Sequence, residues 1–167
     1  MAYKNKTYVA FDGDTDMQYY RTLQMWKKRD DINFEFYDAH DLNTSRDTSL
    51  TESIKNQLRA RFDNSKLFMI LVGEKTKGNR KFVPWEIDQA ISRNLPIITV
   101  NINGNRQKDD NLCPTPLRDV LAVHISFEAA IIQYAFEKWP ASDIDYKSQK
   151  KTGAYYYTGI IYKNLGL

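Results

Sequence analysis

The run "KLFMILVG", residues 66–73, constrains this chain more than any other stretch. A strand with one wet face alternates polar and apolar residues. An unbroken apolar run ending in Gly reads instead as a strand buried on both faces, at the centre of a parallel sheet. "PIITVNI" (96–102) has the same character. "TYVAF" (7–11) is short and β-prone, "NFEFYD" (33–38) alternates, and "AVHI" (122–125) predicts a further short strand. Helical patterns fall between them. "DMQYYRTLQMWKKRD" (16–30) places Tyr19, Leu23 and Trp26 at helical spacing. "SLTESIKNQLRARF" (49–62) repeats Leu50, Ile54, Leu58 and Phe62 every four residues, and Ser49 with Glu52 forms a capping box. Helices are also predicted from Pro84 to about Asn94, in short form over 115–121, and over 126–139 with Ser126 as its cap.

This alternation implies an α/β fold: a doubly wound, parallel, five-stranded sheet flanked by helices. A chain of 167 residues fits one domain, read here as residues 1–139, with a C-terminal extension at 140–167. That extension begins with "PASDIDYKSQKKTG", read as a surface connection, and its aromatic end is expected to pack back onto the domain. In such sheets ligands bind outside the carboxyl ends of the strands. The loops after Phe11, Tyr37, Val72 and Ile102 are therefore the candidate site.

Several classes are set aside. No apolar run approaches the roughly 20 residues that span a bilayer, so no membrane association is expected. The N-terminus has no secretory h-region and Cys113 stands alone, which points to a reducing, cytoplasmic compartment. A net charge of +3 is too mild to argue for nucleic acid. "DGDTD" (12–16) starts like a calcium loop, but Met17 stands where Gly is required and Leu23 where Glu is. His40, His124 and Cys113 do not make a zinc set. No metal and no cofactor is expected.

"RKFVPWEIDQAI" (80–91) carries the chemistry. Pro84 suits a first helical turn, where its missing N–H costs nothing. Val83, Ile87, Ala90 and Ile91 form a core stripe. Phe82, Trp85, Glu86 and Gln89 then lie off it, toward the strand ends. Glu86 reads either as a first-turn carboxylate favoured by the helix dipole, worth roughly 0.3–1 kcal/mol, or as a reacting group beside an aromatic wall. Local pattern favours the first.

Together, "YVAFDGDTD", "LFMILVGEKT", "RKFVPWEIDQAI" and "NLPIITVNING" resemble the TIR-like domains of the branch found in the ThsB component of the bacterial Thoeris anti-phage system. The resemblance covers about residues 5 to 137. It implies a TIR/flavodoxin-like fold and cleavage of NAD, as substrate, at the nicotinamide–ribose bond. The product would be an ADP-ribose-type signal, linear or cyclic, acting on a separate effector protein. Activity is expected to need self-association or an infection trigger. The family's catalytic glutamate falls on Glu86 and its preceding aromatic on Phe82. The pocket-lining first loop falls on Phe11, Asp12 and Gly13. The loop after the second strand falls on about Asp38 to Ser49, with Asp41 as its candidate, and Trp85 joins the aromatic wall. Two other readings stand beside this one: a non-catalytic TIR-like interaction module, and a nucleoside deoxyribosyltransferase with Asp12 or Asp14 as a second carboxylate.

Overall fold

The computed structural model describes residues 6–29, 36–37 and 51–167. Six strands form one sheet in the order β2-β1-β3-β4-β5-β6. They are β1 (Thr7–Ala10), β2 (Phe36–Tyr37), β3 (Leu67–Val72), β4 (Ile97–Asn101), β5 (Ala122–Ser126) and β6 (Ala154–Tyr156), and every neighbouring pair is parallel. The doubly wound α/β sheet is thus as the alternation implies. All six residues of β3 are buried, which explains its unbroken apolar run; each such side chain contributes about 1.5–3 kcal/mol.

The helices are α1 (Met17–Lys27), α2 (Glu52–Asp63), α3 (Val83–Ser92), α4 (Ala129–Ser148) and α5 (Gly159–Asn164). One face of the sheet carries Val9, Met69, Val100 and Ile125 against Tyr20 and Leu23 of α1, Ile132 and Phe136 of α4, and Tyr162 of α5. The other carries Tyr8, Phe68, Ile70 and Ile97 against Leu58 and Phe62 of α2 and Val83, Ile87 and Ala90 of α3. This division follows from the period-2 alternation of side chains along each strand. No described helix is long and apolar enough to cross a membrane.

Several local expectations change. The cap of α2 is Thr51, whose hydroxyl accepts from the Ile54 N–H at 3.3 Å; Ser49 lies outside the described residues. Ser126 is not a helix cap. It ends β5, buried, and its hydroxyl donates to Glu128 Oε2 at 2.6 Å. The helix begins at Ala129 and runs through Pro140 to Ser148, over much of the expected surface connection. A mid-helix proline removes one hydrogen bond, but Trp139 and Asp143 on either side of it are each 1% exposed and keep the segment docked. The aromatic end adds β6 and α5. Tyr162 is buried, accepts from the Ser126 N–H at 3.3 Å, and lies under the Arg106 guanidinium at 4.1 Å.

Candidate functional site

In this strand order the connections from β1 and β3 leave in opposite directions, so the switch point lies between them. Ligands sit at that place in open α/β sheets. Two crevices flank it. One, of about 470 Å³, is bordered by Asp12, Asp14, Lys75, Asn79, Arg80 and Lys81. The other, of about 360 Å³, lies among Thr15, Asp16, Tyr19, Gly73, Lys75 and Asn103.

Two loops build this rim, and acid side chains hold them. Asp12 is 6% exposed. Its Oδ1 accepts from the N–H groups of Asp14 (3.0 Å) and Thr15 (3.2 Å) and from the Thr15 hydroxyl (3.2 Å). Its Oδ2 accepts from Asn79 Nδ2 at 3.2 Å. Asp16 accepts from the Thr76 hydroxyl at 3.4 Å, and that hydroxyl accepts from the Gly73 N–H at 2.9 Å. A Cβ at Gly73 would stand 2.6 Å from Asp16 Oδ2, so any side chain there would displace the carboxyl from its present place. Burial, then the nearby Asp12 charge, raises the Asp16 pKa. Asp16, Thr76 and Asn79 escape sequence reasoning because their partners are 60 and 67 residues away along the chain. The "DGDTD" motif is the available signal, although as a calcium loop it is incomplete.

Glu86 occupies the first turn of α3. It is 1% exposed, and its Oε1 has no hydrogen-bond partner among the described residues. Burial pushes its pKa up to about 8. The expectation of a carboxylate kept charged by the helix terminus is therefore corrected: desolvation outweighs the dipole, and the carboxyl is mostly protonated at pH 7. Its polar neighbour is the Tyr8 hydroxyl of β1, which draws the pKa partly back down. The hydroxyl has no hydrogen-bond partner among the described residues. Burial first, then Glu86, drives the Tyr8 pKa well up.

The aromatic wall is divided. Trp85 is half-buried and meets Phe62 of α2 edge-on at 6.1 Å, with the Arg59 guanidinium 5.7 Å from its ring centre. Its stacking partner is thus the neighbouring helix. Phe82 is the half-buried residue preceding α3, and its N–H donates to Asn79 Oδ1 at 3.2 Å. Phe11 is 5% exposed and stacks on Tyr20 at 4.7 Å, inside the core. Gly13 is half-buried in the rim turn. Asp41 and His40 lie outside the described residues. Glu86, Phe82 and Trp85 border neither crevice. Ile91, expected in the core stripe, is 39% exposed.

His124 is fully buried in β5, its two ring nitrogens without partners among the described residues and its pKa lowered to about 4 by burial and then by Lys108. Burial raises the Cys113 thiol, which contacts the Pro114 carbonyl oxygen at 3.6 Å. Among the described residues, no group of three or more His, Cys, Asp or Glu could hold a metal ion. No residue beyond position 140 borders the two crevices.

A family model described as "Thoeris protein ThsB, TIR-like domain" matches residues 8–107. A comparison with curated proteins finds no match. The matched segment takes in β1 through β4, both rim loops and Glu86.

Proposed function

We propose, from the premise that the chain belongs to the TIR-like domain family of the Thoeris protein ThsB, that it cleaves NAD to make an ADP-ribose-type signal in anti-phage defence. One observation carries this reading. Glu86 is a fully buried carboxyl with an unpartnered oxygen and no neighbouring cation among the groups that shift it. Such a group costs free energy, and strongly perturbed acids concentrate at functional sites.

The chemistry needs one carboxylate. The bond between the ribose anomeric carbon and the nicotinamide nitrogen breaks, and its electron pair leaves with nicotinamide. Nicotinamide departs neutral, so no general acid is needed. The sugar becomes oxocarbenium-like, and an anion beside it stabilises that charge. Glu86 is largely protonated at rest. The cationic nicotinamide ring, brought close, favours its ionised form, so substrate binding itself supplies the carboxylate, whose proton passes to solvent water. Water then adds to the anomeric carbon and releases a proton, giving ADP-ribose. A nucleophilic atom elsewhere in the same molecule gives a cyclic product instead. Glu86 is 1% exposed, so reaching it requires the packing around it to open. That need fits an enzyme held silent until self-association or infection, with its product acting on a separate effector.

The test is chromatography of NAD incubated with purified protein at high concentration. Nicotinamide release that Glu86→Gln abolishes supports the reading. Equal release by both proteins refutes it. A second reading, a non-catalytic interaction module, draws on the same burial, because Glu86 borders neither rim crevice. It predicts no nicotinamide from either protein under any state of association.

A further inference from the structure

Asn79 follows the 3-10 turn Thr76–Gly78 and lies three positions before Phe82. Its side chain makes hydrogen bonds in two directions. Oδ1 accepts from the backbone N–H groups of Lys81 (3.0 Å) and Phe82 (3.2 Å). Nδ2 donates to Asp12 Oδ2 (3.2 Å). Phe82, at the N-cap of α3, supplies no capping side chain of its own. The amide therefore does two jobs: it satisfies N–H groups at the entry to α3, and it ties that entry to the β1 loop across the switch point. Its orientation is unambiguous, because backbone N–H groups only donate and a carboxylate only accepts.

We infer that Asn79 is a positioning residue, setting the first turn of α3, with Phe82 and Glu86 on it, against the loop that follows β1. The consequence for catalysis rests on the NAD-cleaving reading above; the positioning rests on the hydrogen bonds alone. Few side chains could replace this amide. Aspartate keeps the acceptor for Lys81 and Phe82 but sets one carboxylate against another. Alanine loses both ends.

The arrangement offers a reciprocal exchange. In Asn79→Asp the bridge is lost. In Asp12→Asn two amide donors face each other, while Oδ1 can still accept from Asp14 and Thr15. Combining Asp12→Asn with Asn79→Asp restores one donor and one acceptor, with their roles reversed. Amide hydrogen exchange on the four proteins provides the readout. In each single variant, exchange over residues 82–87 should rise about tenfold, the equivalent of roughly 1.4 kcal/mol and in the range of one hydrogen bond to a charged group. Amides of β4 and β5 should keep their protection, which a general loss of stability would not allow. The double variant should recover most of the protection. Unchanged exchange in the single variants overturns the inference, as does a double variant that exchanges as fast as Asn79→Asp. In parallel, kcat for nicotinamide release should fall about tenfold in Asn79→Asp and recover in the double variant. Faster exchange with unchanged kcat would refute the catalytic consequence. If the unaltered protein releases no nicotinamide, the NAD reading fails, and the exchange data still decide the role of Asn79.

Discussion

Two carboxyl groups in this protein are equally hidden, and they are treated differently. Asp143 in α4 and Glu86 in α3 are each 1% exposed, and burial raises the pKa of both. Asp143 has a countercharge: Lys147, one helical turn on, meets its Oδ2 at 2.8 Å and pulls its pKa back down. The equivalent position one turn after Glu86 is Ala90, itself buried. A hidden acid that arrives with its cation is explained by packing. A hidden acid without one is not, and that difference singles out Glu86.

The sharpest way to break this comparison is to remove each acid's distinguishing feature. Glu86→Gln keeps shape and polarity while deleting the ionisable group. Nicotinamide release should fall at least about a hundredfold, the scale on which losing one transition-state electrostatic contact acts. Thermal stability should hold or rise, because a strained functional group has gone. A variant that loses activity only by unfolding would remove the distinction. Next in size is Lys147→Met, which strands Asp143 without its partner. Breaking a buried pair from one side costs about 3–5 kcal/mol. Lys147 is partly exposed, which puts the expected loss near the low end, seen as a fall in Tm of roughly 6–12 °C. A loss under about 1 kcal/mol would mean that Asp143 is no better compensated than Glu86.

The asymmetry is half legible in the sequence. The Asp143–Lys147 pair is an i,i+4 spacing, but it falls in a stretch that Pro140 made look like a connection. Only the burial of Trp139 and Asp143 carries the helix through. For Glu86 the element and the turn were readable from Pro84 and the apolar stripe. Its burial was not, because a helical wheel counts one buried face. Here α3 also packs against α2, through Phe62 and Trp85, and against the turn Thr115–Leu117. Glu86 is buried next to Tyr8 of β1, while Ile91, on the expected stripe, is 39% exposed. Rim contacts such as Asp12–Asn79 join distant segments, and no local periodicity reports them. The sixth strand was missed for a different reason: "AYY" is too short to signal a strand until β5 is there to pair with it.

A smaller effect is the pH dependence that Glu86 confers on stability. The Glu86 pKa rises from 4.5 to about 8 on folding, so between those values the folded state binds the extra proton. Stability is fully retained below about 4.5 and declines as pH climbs toward 8, by on the order of 1 kcal/mol per unit. His124 moves oppositely, from 6.5 down to about 4. The folded state then binds fewer protons there, so stability declines as pH falls through that window. The two slopes oppose each other at acid pH and leave roughly 6.5–8 to Glu86. Urea denaturation should show stability dropping across that interval, and Glu86→Gln should flatten it. An equal slope in both proteins would assign the titration elsewhere.

Tyr8→Phe is the subtlest change. It removes the hydroxyl that draws the Glu86 pKa down. The carboxyl should then keep its proton to higher pH, and the decline in stability should continue to higher pH before it levels off. The buried hydroxyl has no partner among the described residues, so its loss leaves no stranded donor, and the ring keeps its stack on Phe62 at 3.8 Å. Overall stability should therefore change by less than about 0.5 kcal/mol, below the usual range for a lost hydrogen bond. Comparing denaturation from pH 6 to 9 in both proteins measures the displacement. A decline that levels off at lower pH in Tyr8→Phe would mean that the hydroxyl stabilises the protonated acid instead. The rest state of Glu86 would then be built by Tyr8 and not by burial alone.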